Sequence, residues 1–560
     1  MKTLPDILQN TLNNHPDNSI GYVNFDGEIN FKTYADLYDD ALNLLTSLSE
    51  LNIKAGNKII LALNKNQETI SMLWACILGG IIPTILQPPV SFSDINPAAE
   101  KIFKVYKILG NPKVIISDDI FKTWKQDKIS KDDIKNFTSL SKKNNKKINP
   151  HKAKESDIAY IQYSSGSTGD PKGILLTHEN ILANIQAISI GSKLTTEDRY
   201  ANWMPLYHDM GLIGFHITPL YKSANQFHIQ ATDFIKRPFL WLDLLTEEKI
   251  SSTGCPNFGQ ALILRHLKRK KSNDWDFTNL RVIFNGAEPI SHSIMNDFIE
   301  SLKPFNLKPE AMFPVYGMAE STLAISFSEL TAKPLVQAFN RKSLQFENLA
   351  VADNNSSAQK IVSVGKPIKN IEIRIVDDDD NIVENNNIGH IQIKGKSVTP
   401  GYYNNDDANK NVFCDGWFRT GDLGFFYDDE LFITGRYKDI IFINGQNFYA
   451  HDLEGIALKY ENINFGKIVF GGAFDEKLSH DILILFLVGS INNKTTIDTF
   501  KNLKKIFSNS LGISIDVFIP IRSNQIPKTS SGKIQRYKLI SQYLKGDFDE
   551  IIKKTSEIIS

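Results

Sequence analysis

Tyr163-Ser164-Ser165-Gly166-Ser167-Thr168-Gly169-Asp170-Pro171-Lys172-Gly173 gathers three glycines, four serine or threonine hydroxyls and a lysine. The apolar run Ile158-Ala159-Tyr160-Ile161-Gln162-Tyr163 before it and Ile174-Leu175-Leu176-Thr177-His178 after it both read as buried strands. A strand, a glycine-rich turn and a second strand make a loop that can wrap an anion. Glycines bare backbone N–H groups, hydroxyls donate hydrogen bonds and the lysine adds charge, which suits a polyphosphate. The segment lacks the Gly-Lys-Ser/Thr step into a helix that a Walker loop requires. Taken alone, it is also compatible with a simple surface turn.

Five further motifs follow in order: Met204-Pro205-Leu206-Tyr207-His208-Asp209; Asn285-Gly286-Ala287-Glu288-Pro289; Tyr316-Gly317-Met318-Ala319-Glu320-Ser321; Arg419-Thr420-Gly421-Asp422-Leu423-Gly424 with Gly435-Arg436-Tyr437-Lys438-Asp439; and Pro527-Lys528-Thr529-Ser530-Ser531-Gly532-Lys533. The set resembles the adenylate-forming superfamily of acyl-CoA synthetases, peptide-synthetase adenylation domains and luciferases. The resemblance spans nearly the whole chain.

The 560 residues suffice for several cores, and 63 basic residues balance 63 acidic ones. That balance argues against a nucleic-acid partner. Cys76, Cys255 and Cys414 are too sparse for a disulfide framework or a zinc site, and they predict reduced thiols in a cytoplasmic protein. The N-terminus has no apolar signal region. Thr69–Leu86 carries no charge, but Gly79-Gly80 and Pro83 interrupt it. It reads as a buried helix, a glycine turn and a buried strand, and no membrane span is expected.

Helical and strand patterns alternate through the first 440 residues or so, which predicts an α/β protein with parallel-rich sheets covered by helices. An amphipathic helix is expected from Phe31 toward Leu51, and a strand at Lys58–Leu63. Lys125–Glu155 is polar and lysine-rich, and reads as a solvated linker. Asp377-Asp378-Asp379-Asp380 lies between two alternating runs, so a hairpin loop is expected there and no metal site. After Lys438 the pattern restarts with a smaller α/β unit that includes Ile482–Val488. The resemblance implies a large domain over 1–437, a small mobile domain over 438–560 and a hinge at Lys438.

The implied reaction joins a carboxylate to the α-phosphorus of ATP and releases pyrophosphate. Two anions must meet, so charge neutralisation dominates the chemistry. By resemblance, Ser164, Ser165, Gly166, Ser167, Thr168, Gly169 and Lys172 would grip the β- and γ-phosphates. Glu320, with Thr168, would hold Mg²⁺, a hard ion that favours oxygen ligands. Gly286, Ala287 and Glu288 would line the adenine slot, and Tyr316, followed by Gly317 and Met318, would stack on the base. Asp422 would accept from the ribose hydroxyls, with Arg436 nearby. His208 would sit against the acyl carboxylate. Lys533 would swing in with the small domain and meet the developing negative charge.

Two features resemble the fatty acyl-AMP ligases in particular. One is Tyr207-His208-Asp209-Met210-Gly211-Leu212 together with Cys255-Pro256-Asn257-Phe258-Gly259, whose Asn257, Phe258 and Gly259 would contact the acyl substrate. The other is an extra segment, Ala332 to Ser357, between Glu320 and Val364. It resembles the insertion that restrains the small domain in those enzymes, and Phe339, Leu344 and Phe346 are expected to pack across the domain boundary. Such ligases pass a fatty acid to an acyl carrier protein, which here would bind from outside. Arg265-His266-Leu267-Lys268-Arg269-Lys270-Lys271 is a candidate docking patch, equally readable as a solvated helix end. Gln446 and Ala450 depart from the Arg and Pro of many relatives. A fatty acyl-CoA synthetase, an amino-acid-activating enzyme and a non-catalytic nucleotide-binding protein stay open as alternatives.

Overall fold

The computed structural model describes residues 1–89, 96–124, 128–142, 148–164, 171–268, 274–443, 446–460, 463–475, 480–529 and 533–559. Ser165 to Gly169, on which part of the phosphate-loop expectation rests, and residues 269–271 of the basic patch lie outside these ranges.

The large domain is built on two parallel-rich sheets. In the nine-stranded sheet, Ser19–Val23, Asn225–Ile229, Arg199–Asn202, Ser252–Gly254, Val282–Asn285 and Met312–Gly317 run parallel, with antiparallel strands at both ends. A four-stranded sheet joins Ile82–Ile85, Lys58–Ala62, Lys113–Ile116 and Ile134–Asn136, all parallel. The Asn66–Leu78 helix is buried at every residue from Thr69 to Leu78, because it is apolar around its circumference rather than along one stripe. Gly80 then turns at φ +65°, a backbone state that favours glycine, and leads into the Ile82–Ile85 strand. Among the described residues no helix is long and apolar enough to cross a membrane.

A third, wholly antiparallel sheet holds Ile371–Val376, Gly389–Gly395, Trp417–Tyr427 and Glu430–Arg436. The Asp377–Asp380 turn lies in the connection between the first two of these strands, and Asp380 pairs with Arg419. Three stretches differ from the sequence expectation. Phe31 lies in the Ile29–Thr33 strand, and the helix begins at Tyr34, where Thr33 caps it by accepting the Asp36 N–H. The Lys58 strand ends at Ala62, one residue earlier than expected. The lysine-rich stretch is not all linker: Ile134 and Leu140 are buried, and Ile134–Asn136 extends a sheet edge.

The smaller C-terminal domain is a three-layer unit. Its central strand, His480–Val488, pairs antiparallel with Ile468–Asp475 and parallel with Val517–Ile521. The unbroken apolar run of that strand is explained by a core on each face. Phe500, Leu503 and Phe507 fill one side; Leu539 and Phe548 fill the other.

The extra segment forms the Val336–Phe339 strand and a helical turn at Ser343–Glu347. Phe339 and Leu344 are fully buried in a cluster with Phe425, Phe432 and Tyr449, and Ile440 packs against it. Tyr449 and Ile440 belong to a hairpin whose Ile441 and Phe448 pack in the core of the C-terminal unit, so this cluster links that unit to the Phe425 and Phe432 strands. Phe346 is 54% exposed and takes no part in the cluster, contrary to expectation. Arg341 instead supplies the third contact, as an ion pair with Asp452 at the start of the Ala450–Tyr460 helix.

Candidate active site

The two domains enclose a cavity of about 2270 Å³. Its walls include Lys172, His208, Glu288, Tyr316, Glu320, Asp422 and Arg436 from the first 437 residues, and Lys533 from the last 123. Residues as far as 361 positions apart, Lys172 and Lys533, therefore share one chamber.

The glycine-rich loop starts and ends on a hairpin. Ile158–Ser164 and Lys172–Thr177 pair antiparallel, with Ser164 opposite Lys172, so the loop is held closed at its neck. Gln162 donates from Nε2 to the Tyr207 carbonyl at 3.0 Å and thereby ties this hairpin to the His208 turn. Gly211 is required at that turn: a Cβ would lie 2.3 Å from the Pro205 carbonyl oxygen. His208 Nδ1 meets Asp209 Oδ1 at 2.6 Å, and the Met210 N–H donates to the same oxygen at 2.7 Å. Burial would raise the Asp209 carboxyl, but His208, Lys533 and the Met210 N–H outweigh it and hold the group below its ordinary value.

The strand end at Asn285 leads into Gly286, which packs so closely on Val315 that a Cβ would lie 2.7 Å from its carbonyl oxygen. Ala287 adopts φ +68°, uncommon for a residue with a Cβ. Glu288 Oε1 accepts the Phe258 N–H at 2.8 Å. Burial pushes the Glu288 carboxyl up, against the pull of Phe258, Lys533 and Lys528. Asn257 is buried and donates to the Pro289 carbonyl at 2.5 Å, so it fastens the Asn257–Leu267 helix to this loop. Phe258 lines the cavity, whereas Gly259 packs beneath Trp203.

Tyr316 donates its hydroxyl to Asp422 Oδ2 at 2.6 Å, while Arg436 Nε reaches Asp422 Oδ1 at 3.1 Å. The 422–436 pairing of two adjacent strands sets this triad. Gly317 has no room for a side chain, since a Cβ would lie 1.9 Å from the Leu323 carbonyl. Met318 donates its N–H to that carbonyl at 2.8 Å and lines the cavity. Glu320 occupies a single turn over Ala319–Ser321; Tyr402 donates to its Oε1 at 3.0 Å and burial raises its carboxyl. A half-buried carboxylate beside a tyrosine hydroxyl is hard-donor chemistry that fits Mg²⁺.

Lys533 precedes Ile534, which bridges to Lys528. The Thr529 N–H donates to the Lys533 carbonyl at 2.8 Å, and the Lys533 N–H to Thr529 Oγ1 at 3.0 Å. Desolvation lowers the Lys533 ammonium, and Arg436 adds to this. Asp209, Glu288 and Asp422 oppose it. Lys533 and these three carboxylates line the same cavity.

Among the expected residues whose side chains are described, all line this cavity apart from Gly259 and Gly286. Two participants were missed. Tyr402 stands in an unremarkable Thr399-Pro400-Gly401-Tyr402 run, and its adjoining glycine and aromatic were the only signal. Arg341 looked like one more surface charge.

The wall combines Lys172 at the end of a hairpin, the Glu320 carboxylate, an Asp–Arg–Tyr triad and a lysine from the small domain. Comparison with known proteins gives the same grouping. Residues 8–403 match the AMP-binding enzyme family, and the chain belongs to it. It is similar to the medium-chain-fatty-acid–[acyl-carrier-protein] ligase JamA of Moorena producens, at 28% identity over 94% of this chain and 92% of that one. Among solved structures it resembles the McyG A-PCP protein complexed with phenylalanyl-adenylate (TM-score 0.89, 32% identity, 100% of this chain and 98% of that one). It is equally close in fold to the fatty acyl-adenylate ligases of E. coli and L. pneumophila (TM-score 0.89, 27% identity, 98% of each chain). It is an adenylate-forming ligase in fold and family.

Proposed function

We propose that the protein activates a medium- or long-chain fatty acid with ATP, yielding an acyl-adenylate and pyrophosphate, and hands the acyl group to a separate acyl carrier protein. The observation that carries this reading is the single chamber that Lys533 shares with Asp209, Glu288 and Asp422 across the domain boundary.

In the reaction the fatty carboxylate oxygen attacks the α-phosphorus, the bond to the bridging oxygen breaks, and its electrons leave with pyrophosphate. Mg²⁺, held by Glu320 with Thr168, would neutralise phosphate charge. Lys172 adds positive charge at the neck of the glycine-rich loop. His208 donates to the acyl carboxylate and is oriented by Asp209. Asp422, Tyr316 and Arg436 hold the nucleoside, with the small residues Gly286 and Ala287, Glu288, and Gly317 and Met318 beside the base. Asn257 and Phe258 shape the acyl side, where Phe215, Phe284 and Leu323 give apolar wall. Lys533 meets charge that develops in the transition state. No protein nucleophile is required.

Lys438 serves as the hinge between 1–437 and 438–560. The extra segment favours carrier over CoA as acceptor. It braces the small domain through Phe339, Leu344, Tyr449 and the Arg341–Asp452 pair, and so opposes the reorientation that CoA transfer needs. The test is to offer purified protein ATP and fatty acids of several lengths, with CoA or a carrier protein, and identify products by mass. Acyl-AMP and acyl-carrier are expected. Efficient acyl-CoA synthesis would replace this reading with a CoA synthetase, and pyrophosphate release with amino acids alone would reject a fatty substrate.

A further inference from the structure

Tyr402 joins three parts of the site that lie far apart in sequence. Its hydroxyl donates to Glu320 Oε1 at 3.0 Å. The Lys172 ammonium stands over its ring, 5.0 Å from the centroid. Its backbone is gripped from the outside by one side chain: Tyr402 N–H donates to Asn409 Oδ1 at 2.7 Å, and Asn409 Nδ2 donates to the Tyr402 carbonyl at 3.1 Å. The flanking residues are stitched to the loop-bearing hairpin, with Leu175 N–H on the Gly401 carbonyl at 3.0 Å and Tyr403 N–H on the Gly173 carbonyl at 2.7 Å. Thr399 N–H donates to the Glu320 backbone carbonyl at 2.8 Å, so carboxylate and tyrosine are fixed to one another at two points. The tyrosine is 5% exposed.

We propose that Tyr402 is a positioning residue that sets the Glu320 carboxylate for a divalent cation and, through its ring, sets Lys172 for the phosphates. The assignment rests on the reading of Glu320 as the cation ligand. Two physical arguments support it. A single O–H···O bond fixes one carboxylate oxygen and thereby the direction of the other. Groups that orient a metal ligand in this way commonly control affinity by about 10- to 100-fold. The ring face adds an independent attraction for the lysine. The two roles separate by substitution, since Tyr402→Phe removes the hydroxyl and keeps the ring, whereas Tyr402→Leu removes both.

The test uses Mn²⁺ as a spectroscopic probe and a non-hydrolysable ATP analogue with the full chain. Electron paramagnetic resonance reads Mn²⁺ affinity in the presence of the analogue; calorimetry reads analogue affinity without metal. Tyr402→Phe should weaken Mn²⁺ binding by about 10- to 100-fold and leave metal-free analogue binding unchanged. Tyr402→Leu should in addition weaken metal-free binding by about two- to fivefold. Asn409→Ala, which loosens the clamp without touching the ring, should weaken Mn²⁺ binding in the same direction and serves if the tyrosine variants do not fold. Mn²⁺ binding by Tyr402→Phe equal to that of the parent overturns the proposal while the Glu320 reading stands. Glu320→Gln binding Mn²⁺ like the parent overturns both.

Discussion

Arg341, in the segment between Glu320 and Val364, is ion-paired with Asp452, the third residue of the small domain's Ala450–Tyr460 helix. Both side chains are mostly buried, at 16% and 13% exposure. Removing one partner of such a pair leaves a desolvated charge, at a cost of about 3–5 kcal/mol. Arg341→Ala should therefore loosen the small domain, and about 1.4 kcal/mol already shifts a two-state population tenfold. The expected result is more acyl-CoA than the parent protein makes. Unchanged products, with unchanged fluorescence distances between the domains, would count against a restraining role.

Lys533→Ala should lower adenylate formation by about 10²–10³ while ATP binding persists, because the ammonium acts on charge that develops late. Stopped-flow pyrophosphate release and calorimetry read the two quantities. A rate unchanged at saturating substrate removes Lys533 from the reaction.

The Lys533 ammonium also predicts a pH profile. Desolvation in the cavity and the nearby Arg436 lower its value, so its proton is lost at a pH below the ~10.4 of an ordinary lysine. Activity is then full below the lowered value and falls as pH rises through it. Lys533→Arg should retain some activity and move that alkaline limb upward, since a guanidinium keeps its charge. A limb that stays in place in the arginine variant belongs to another group.

Glu320→Gln should raise the Mg²⁺ concentration needed for half-maximal rate and leave the fatty-acid KM near its parent value. An unaltered Mg²⁺ titration would take Glu320 out of the metal site.

Phe339 and Phe346 should behave oppositely. Phe339 is fully buried, with Phe425, Tyr427 and Phe432 rings 5.1–5.4 Å away. Its truncation to alanine should cost about 3–5 kcal/mol. Phe346 is exposed, and Phe346→Ser should stay within about 0.5 kcal/mol. Denaturant titration of both variants decides, and equal effects would refute the placement of the segment's core.

The parallel-rich α/β architecture was legible because its strands are short continuous apolar runs separated by helical patterns, as at Lys58–Ala62 and Ile482–Val488. The small domain was legible for the same reason. The site was legible where a motif concentrates unusual residues, as around Glu320, Asp422 and Lys533. What escaped notice depends on tertiary neighbours. Phe31 has the periodicity of a helix start, yet it pairs with Gly21 as a strand. Ile134 sits among lysines, yet it completes a sheet edge. Tyr402 and Arg341 acquire their meaning from partners 82 and 111 residues away. Phe346 shares the aromatic character of Phe339, and nothing local reveals that the chain turns it outward.

Lys533 is tied to Thr529 by two hydrogen bonds, and Lys528 bridges to Ile534. These contacts are local in the C-terminal sequence, whereas Asp422, Glu288 and Asp209 lie 111, 245 and 324 residues earlier. A chimera that exchanges small domains between two relatives would thus transplant the ammonium in its presenting form and leave the choice of acid behind. On the proposed reading, reactivity and selectivity would be carried on separable pieces of the chain, and each could be engineered without redrawing the other.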